Sequence, residues 1–410
     1  MSFAGFAQIL GALQQRNFRI FMSGHLLSQI AMWMTRIVAG WQTWELTESA
    51  TWLGLMGMAD LAPTLFMGPL TGALADRFDR LTIVRLSQVG TTLFTVALAF
   101  LYYQGSLTIE LLFLFMLIQG AFMAINLPAR LAMIPNLIGR ENLQPAIAIN
   151  ALVSNGGRFL GPACGGFAIV QWGIGPAWAI CAVCYGLPAF TLLMVQTSKE
   201  EISRSGKKLM GDAIEGITYT VRHPGIGPLM AALIVTSVFG KTFGSLFPGF
   251  ADHIFNRGAD GLAWLTGAVG MGAVLGGIFM AQRATGVAGL TRISIMQIGV
   301  IGTGLFLFTS NDIFWLAIPI CTAVGASSII NGVSAQTLLQ HAGDRHMRGR
   351  LASLFGMVMR GGQALGSAIL GVTADLIGLR WTIAAAGLIC VGFWLWSFRR
   401  AKTMAKVLEV

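Results

Sequence analysis

The chain has 410 residues, of which 55% are hydrophobic and 11% are charged, and its formal net charge is +10. A soluble domain typically carries about 25% charged residues, so this chain has too few to cover a water-facing surface. The composition therefore excludes a soluble enzyme, a disordered chain and a disulfide-rich scaffold.

Long apolar runs separated by short polar segments predict twelve membrane-spanning helices, each of about 20 residues or more. In chain order the predicted spans are residues 18–44, 50–75, 83–104, 108–129, 143–171, 175–196, 225–250, 261–282, 292–309, 312–339, 351–376 and 380–398. A transmembrane β-barrel is not expected, because the runs are continuous rather than ten-residue alternations. The predicted fold class is all-α and integral to the membrane.

The basic residues are unevenly distributed between the two predicted sides of the membrane. With the N-terminus inside, 21 of the 27 Lys and Arg fall in segments on the inner side. The positive-inside rule therefore predicts that the N- and C-termini are both cytoplasmic. Because topology explains the positive charge, no nucleic-acid partner is expected. The expected partners are the lipid bilayer and a small-molecule substrate, and the protein is predicted to be a monomer.

A weak internal repeat divides the chain in two. Identical residues recur at a constant offset of 205 between 120–166 and 325–371, for example Asn126 and Asn331. The segment 197–224 is the longest polar stretch. The sequence thus predicts two pseudo-symmetric six-helix halves, at 1–196 and 225–410, joined by a cytoplasmic linker at 197–224. In such an architecture the substrate site lies between the halves near the membrane midplane.

The loop after the second predicted span reads GPLTGALADRFDR over residues 68–80. It resembles motif A of the major facilitator superfamily, although Asp79 and Leu81 replace the usual glycine and basic residue. The resemblance implies a gate between the two halves, and the alternative is a merely basic inner loop. The motif residues are Gly68, Gly72, Asp76, Arg77 and Arg80.

The fifth predicted span contains GRFLGPACGG over residues 157–166. This resembles motif C of the same superfamily, which is associated there with antiporters that export. Glycines at this spacing make a flat face for tight helix packing, and a proline kinks the helix. An ordinary small-residue packing face is the alternative. The motif residues are Gly157, Gly161, Pro162, Gly165 and Gly166.

Further segments, including RNFRIF at 16–21 and YTVRHPGI at 219–226, resemble one branch of the superfamily. That branch holds bacterial exporters of the transmembrane secretion effector type, similar to the enterobactin exporter. The resemblance covers nearly the whole chain. It implies a major facilitator fold and efflux, across the bacterial inner (plasma) membrane, of a small amphipathic molecule that is siderophore- or drug-like. Uptake symport of a small organic solute is the main alternative, and a channel or a membrane-embedded enzyme is a remote one.

Five charged residues lie in the interior of predicted spans, away from the span ends, where a charge is costly and therefore points to function. They are Arg36, Asp60, Arg158, Lys241 and Arg360. Asp60 is predicted to carry or gate a coupled proton, and a structural Arg36–Asp60 pair is an equal alternative. The surplus of cations predicts a cavity that favours anionic or electron-rich substrates. Alternatively, some of the cations reach the interface or face backbone carbonyls.

Three other side chains are candidates for lining the cavity. His25 and Gln29 share a helix face at i and i+4, where an interhelical hydrogen bond is an equal alternative. Phe243 follows helical spacing in the seventh span, although core packing is the commoner role for such a residue. Trp33, Trp41 and Trp44 are expected to be belt residues at the outer interface.

Several motifs are absent from the sequence. There is no G-x-x-x-x-G-K-[ST] and no H-E-x-x-H, so neither an ATP-driven pump nor a zinc protease is encoded. The five cysteines all fall in predicted spans and predict neither disulfides nor a metal site. We therefore expect no enzyme activity and no cofactor, with the proton gradient as the driving force.

Overall fold

The structure, a computed structural model, describes residues 14–139, 143–195, 209–283, 286–344 and 346–409. At 68–77 and 209–214 it describes the backbone alone. Every regular element within these residues is a helix. The helices are α1 (Arg16–Thr47), α2 (Ala50–Arg77), α3 (Arg80–Tyr103), α4 (Ile109–Ile138), α5 (Leu143–Trp172), α6 (Ile174–Leu193), α7 (Leu209–Arg222), α8 (Ile226–Ile254), α9 (Gly258–Gln282), α10 (Leu290–Thr309), α11 (Phe314–Ala342), α12 (Arg348–Ile377) and α13 (Leu379–Leu408).

The chain forms two compact units. The first contains Met1–Gln42 and Phe66–Gly206, and the second contains Thr43–Leu65 and Lys207–Val410. Helices α1 and α2 therefore each supply residues to both units. The division of the chain into halves at 1–196 and 225–410, with a linker at 197–224, stays a prediction.

Eight helices of the described part are long and apolar enough to cross a membrane: α3, α4, α6, α8, α9, α10, α11 and α13. Helices α1, α2, α5 and α12 are not among these eight, and they carry Arg36, Asp60, Arg158 and Arg360. The count of twelve spans stays a prediction.

Two predicted spans differ from the helices that form. Helix α4 continues through Pro128 and Pro135 to Ile138, whereas the predicted span ended at residue 129. Such prolines are tolerated in a membrane helix, because neighbouring groups satisfy the freed backbone. Helix α8 is not continuous, since a π-helical segment at Thr236–Gly240 precedes a break at Lys241. A short 3-10 turn, Phe243–Leu246, then follows. The expectation of regular helical spacing here was wrong.

The polar segment between the predicted halves contains a helix. Helix α7 lies on the second unit, where Glu215 forms an ion pair of 2.7 Å with Arg350 of α12. The Tyr219 hydroxyl accepts a hydrogen bond from the Asp344 backbone at 3.4 Å. The part of this segment that the structure describes is therefore a docked helix rather than a loose connection.

Each unit has an apolar core of its own. In the first unit it is built from α1, α3, α4, α5 and α6, and in the second from α8, α10, α11, α12 and α13. Buried members in the first unit include Phe18, Leu81, Met133 and Ile149. Buried members in the second include Leu229, Ile295, Leu338 and Leu351.

A similar polar contact occurs in the two units at asparagines that the internal repeat relates, although the serines they meet, Ser87 and Ser294, are 207 positions apart rather than 205. Asn126 of α4 donates to Ser87 Oγ of α3 at 2.7 Å. Its counterpart Asn331 of α11 donates to the Ser294 backbone oxygen of α10 at 3.1 Å. In both units an asparagine of one helix binds a serine of the helix before it. This agreement supports the repeat as a structural one.

The tryptophan belt prediction fails at Trp41 and Trp44, which are 7% and 3% exposed. The Trp44 indole nitrogen donates to Asp252 Oδ2 at 3.0 Å, and the Trp44 ring meets His253 edge-on at 4.8 Å. A belt residue would face lipid headgroups. Polar partners on α8 draw this ring into the second unit instead.

Asp79, one of the two residues that differ from the motif A pattern, is the N-cap of helix α3. Its side chain accepts from the Thr82 backbone nitrogen at 2.8 Å and from the Thr82 hydroxyl at 2.6 Å. A carboxylate at this position satisfies a helix N–H that has no partner within the helix. The departure from the family pattern therefore has a local purpose.

Replacing Asp79 with alanine is expected to destabilise the protein by about 1 kcal/mol through loss of this cap. The hydrogen bond from the Thr82 side chain holds the pKa of the Asp79 carboxyl below its ordinary value. Because the folded-state pKa is depressed, the stabilisation is present above the unfolded pKa of about 3.9. It is lost as pH falls through the folded-state pKa. Thermal unfolding of wild type and D79A at neutral pH and near pH 3 checks this: the gap between them should narrow in acid.

Candidate functional site

The five predicted intramembrane charges fall into two groups. Arg36 of α1 and Arg158 of α5 belong to the first unit. Asp60 of α2, Lys241 of α8 and Arg360 of α12 belong to the second. All five are partly buried. Because Arg36 and Asp60 lie in different units, their pairing stays a prediction.

Two guanidinium groups of the first unit surround one indole ring. Arg36 Cζ lies 4.5 Å from the centroid of the Trp33 ring, and Arg158 Cζ lies 5.2 Å from it. Both distances are within the range of about 6 Å in which a cation is attracted to an aromatic face. Trp33 is therefore not a lone belt residue: it organises two positive charges. We call Trp33, Arg36 and Arg158 the arginine–tryptophan cluster.

The motif C glycines hold α5 against α1 beside this cluster. A Cβ on Gly157 would lie 2.5 Å from the Gln29 Cβ, and a Cβ on Gly161 would lie 2.4 Å from the Trp33 Cβ. One turn further, a Cβ on Gly165 would meet Met34 at 3.2 Å. Residues four apart share one helix face, so the three glycines form a continuous contact surface for α1.

This contact has a consequence for the cluster. Arg158 directly follows Gly157, so the backbone approach at that glycine places the Arg158 side chain next to Trp33. Pro162 lies inside α5 and is buried, as are Gly161 and Gly166. The motif C residues thus pack α5 closely against α1, and this close packing positions the Arg158 guanidinium beside Trp33.

A second polar cluster lies within the first unit, between α1, α3, α4 and α6. His25 and Gln29 are 5% and 6% exposed, and both line a cavity of about 40 Å³. Arg130 of α4 is 7% exposed, and its Nη1 lies 2.6 Å from His25 Nε2. Because a guanidinium donates, the imidazole nitrogen that it meets acts as an acceptor. The cavity has room for a few water molecules.

Neighbouring side chains hold this cavity in shape. Gln88 of α3 accepts from Ser28 Oγ at 3.2 Å and donates to the Tyr185 backbone oxygen at 2.9 Å. Gln119 of α4 donates to the Tyr185 hydroxyl at 2.9 Å. The network ties α1, α3, α4 and α6 together through polar groups, which makes the interior of this unit specific in its packing.

Sequence reasoning placed Arg130 in an inner loop and so missed it as a site residue. The predicted span ended at residue 129, whereas α4 continues through Pro128 and Pro135 to Ile138. Extending the helix through Pro128 would have put Arg130 one turn from Asn126, on a polar face. The available signal was this i, i+4 relation of two polar residues in an otherwise apolar run.

In the second unit, Lys241 lies where helix α8 breaks. Its Nζ is 3.4 Å from Met359 Sδ of α12. The next residue on α12 is Arg360. Irregular helix segments are frequent at functional sites, because they direct side chains and free backbone groups that a regular helix would not. The break thus directs a cation of α8 toward the part of α12 that carries another.

Asp60 lies between two close contacts of α2 with α12. A Cβ on Gly57 would lie 2.8 Å from Ser367 Oγ, and Gly361 meets the Leu65 side chain, with a built Cβ 2.8 Å from Leu65 Cδ1. Helices α2 and α12 therefore run side by side in opposite directions here. Asp60 sits on α2 at the level between Gly361 and Ser367.

The remaining candidates have other surroundings. Phe243 is buried in an aromatic group of the second unit, 4.9 Å from the Phe247 ring and 6.1 Å from the Phe308 ring. In motif A, Arg80 donates to the Ala132 backbone oxygen at 3.2 Å. Of the other motif A residues, Gly68, Gly72, Asp76 and Arg77, the structure describes only the backbone, which is helical to Arg77.

Comparison with known proteins identifies the class. The profile of the transmembrane secretion effector family matches residues 7–408. The staphyloferrin A transporter of Staphylococcus aureus is 21% identical over 91% of this chain and 94% of its own length. The enterobactin exporter EntS of Salmonella typhi is 26% identical over 92% of this chain and 91% of its own length.

Solved structures agree in fold. A bacterial homologue of the human lysosomal transporter Spinster, in an inward-facing and unoccupied conformation, superposes with a TM-score of 0.76 at 15% identity. The match covers 96% of this chain and 98% of that one. A mutant of the peptide transporter POT, in complex with alafosfalin, gives a TM-score of 0.76 at 13% identity, over 98% of this chain and 99% of that one.

The helical fold and the charged clusters therefore belong to a multi-pass membrane transporter. The chain is a member of the transmembrane secretion effector family of the major facilitator superfamily. The predicted resemblance is confirmed, and so is the expectation that the chain is not an enzyme, because this is a family of transporters.

Proposed function

We propose that the protein exports a small amphipathic anion across the bacterial inner membrane, driven by the proton gradient. In this proposal twelve helices form two six-helix halves that alternate access, both termini are cytoplasmic, and the protein acts as a monomer. The observation that carries the proposal is the arginine–tryptophan cluster, in which Arg36 and Arg158 surround Trp33.

The chemistry of the cluster favours an aromatic anion. Two cations that share one ring repel each other, and a partly buried position weakens the screening by water. An anion between them relieves this repulsion and can accept from the planar guanidinium forks. An aromatic substrate would also pack against the indole face. A neutral aromatic substrate would gain only the packing, and a cationic one would add to the repulsion between the charges.

The relatives support the same class of substrate. By name, one of them transports staphyloferrin A and another exports enterobactin. Both names describe siderophore transport, and the second specifies the outward direction. We therefore extend the proposal to a siderophore-like or drug-like amphipathic anion as the substrate, with export as the direction.

A transport assay tests the proposal as a whole. Inverted vesicles that contain the protein, given an imposed pH gradient, should accumulate fluorescent or radiolabelled aromatic anions and expel protons as they do so. Counterflow exchange in proteoliposomes should show trans-stimulation, which a channel does not. Accumulation in right-side-out vesicles alone would overturn export and leave uptake symport.

Asp60 is the residue we propose for proton coupling. It is a partly buried carboxylate between two close helix contacts, so gaining or losing a proton there changes a charge at a helix interface. Asp60→Asn should abolish transport driven by the pH gradient and retain counterflow exchange, which needs no net proton movement. Glu45→Gln, at an exposed carboxylate of α1, is the matched control and should keep both activities. Full gradient-driven transport by D60N would contradict the assignment.

A further inference from the structure

One end of helix α2 is capped by a residue from the far end of the chain. Asp375, near the end of α12, accepts hydrogen bonds from Ser49 Oγ at 2.7 Å, from the Ala50 nitrogen at 2.8 Å and from the Thr51 nitrogen at 2.9 Å. A carboxylate at a helix N-terminus satisfies free N–H groups and complements the helix dipole. Asp375 thus satisfies the first two N–H groups of α2, while the third, at Trp52, donates to Ser49 Oγ of the adjoining loop at 3.4 Å.

Directly below the cap, α2 and α12 touch through glycines. A Cβ on Gly371 would lie 2.6 Å from the Ala50 oxygen and 2.8 Å from Gly54 Cα. A Cβ on Gly54 would lie 2.2 Å from the Ser367 oxygen. The backbones are in contact, so no space remains between the first turns of α2 and the last turns of α12.

A second contact lies beside the first. Trp44, near the end of α1, donates from its indole to Asp252 of α8. Gly249 makes room for the ring, since a Cβ there would lie 3.1 Å from it. All of these residues belong to the second compact unit. In the predicted topology they all lie at the outer ends of their helices.

These contacts join residues of the two predicted halves of the chain. Trp44 and Ser49–Thr51 belong to the predicted N-terminal half, whereas Asp252 and Asp375 belong to the predicted C-terminal half. A carrier that releases its substrate outside must separate its halves on the outer side. The Asp375 side chain is exposed and lies at the predicted outer end of α12, so water can replace its hydrogen bonds when the cap opens.

We propose that Asp375 with the N-terminus of α2, and Trp44 with Asp252, form an outer latch that closes the exit route and breaks in every transport cycle. The proposal rests on the proposed function for its direction of opening. Where Asp375 meets α2, an exposed carboxylate cap that water can exchange lies beside a glycine contact that excludes water when the cap is closed.

Accessibility of a reporter cysteine tests the latch without any substrate. Ser245 is partly buried. It lies beside α2 at Gly57, further along α2 than the Asp375 cap, since a Cβ on Gly57 would lie 3.5 Å from the Ser245 Cβ. In a full-length S245C variant without the native cysteines, a membrane-impermeant maleimide is added from the outside of proteoliposomes. Adding Asp375→Asn should raise the labelling rate several-fold, because an amide is a weaker acceptor for the three donors.

Asp312→Asn is the matched control. Asp312 is also an exposed carboxylate at the predicted outer side, but it pairs with Arg380 of the same predicted half. Breaking that pair should leave labelling of S245C unchanged. Equal labelling of the D375N and D312N backgrounds would overturn the latch.

Cross-linking supplies the complementary test. In the same background, S49C with D375C is joined by a short reducible bifunctional reagent in reconstituted protein. Counterflow of carboxyfluorescein by the double variant should stop on cross-linking and return on reduction, while the same treatment should leave the rate of each single-cysteine variant at the value it had before treatment. Unchanged counterflow in cross-linked protein would overturn the latch. Should no proton-driven export be found while D375N still raises labelling, the proposed function fails and the latch stands.

Discussion

Replacing Gly161 with alanine is expected to separate α1 from α5 and to abolish transport. A Cβ at this position would lie 2.4 Å from the Trp33 Cβ and 2.8 Å from the Ile30 oxygen, closer than real atoms approach. Ile30 contributes rigid backbone, so the helices themselves have to move. Overpacking of this kind typically costs about 1–3 kcal/mol. The thermal midpoint of the purified protein in detergent should fall, and the position of Trp33 should shift.

Gly156→Ala is a closely matched control, because it is one residue from Gly157 on the same helix and a Cβ there meets nothing within 4 Å. Alanine favours a helix more than glycine does, so G156A should be as stable as wild type or more so. A G161A protein with unchanged stability and transport would show that the motif C face does not need its close contact with α1.

Neutralising either arginine of the arginine–tryptophan cluster is expected to weaken binding of an aromatic anion by about tenfold or more. A desolvated cation–π or charge interaction is worth roughly 1–2 kcal/mol, and about 1.4 kcal/mol corresponds to a factor of ten. Arg158→Gln and Arg36→Gln should each raise the dissociation constant for carboxyfluorescein, measured on purified protein. Arg158→Lys should recover part of the loss, since lysine keeps the charge but not the planar fork.

Arg257→Gln provides the control for this series. Arg257 also lies over aromatic rings, 5.2 Å from the Phe314 centroid and 5.5 Å from that of Trp315, but at the predicted outer side. Its replacement should leave the affinity for carboxyfluorescein unchanged. A cationic dye such as rhodamine 6G should bind R158Q no more weakly than wild type. Equal losses in R257Q and R158Q would mean that the cluster has no special role.

Much of the fold could be read from the chain alone. The apolar runs located the long helices, because a membrane helix must be about 20 apolar residues long and its period hardly matters. The ends and the regularity of the helices were predicted less accurately: α4 continues beyond the predicted end at residue 129 to Ile138, and α8 breaks at Lys241. In both places, packing against neighbouring helices decides whether the backbone stays regular. The local sequence does not show which helices those are.

The residues of the candidate site could also be predicted only in part from the sequence. Arg36 and Arg158 could be found because charge is rare and costly in an apolar span. That both of them surround Trp33 could not be found, since 122 positions separate the two arginines and no local pattern relates them. Arg130 was overlooked for a related reason: its burial beside His25 depends on where α4 ends and on which face α1 presents.

Sequence on its own was enough for the membrane class, the family, the motif C packing face and a short list of costly charges. These follow from composition, spacing and local chemistry, which a chain carries in itself. Packing in three dimensions decided which charges share an aromatic ring, that Trp44 is bonded to Asp252 rather than to lipid headgroups, and that Asp375 caps α2. Ser49 and Asp375 are 326 positions apart, and only folding brings the donors and acceptors of such distant segments within hydrogen-bonding distance.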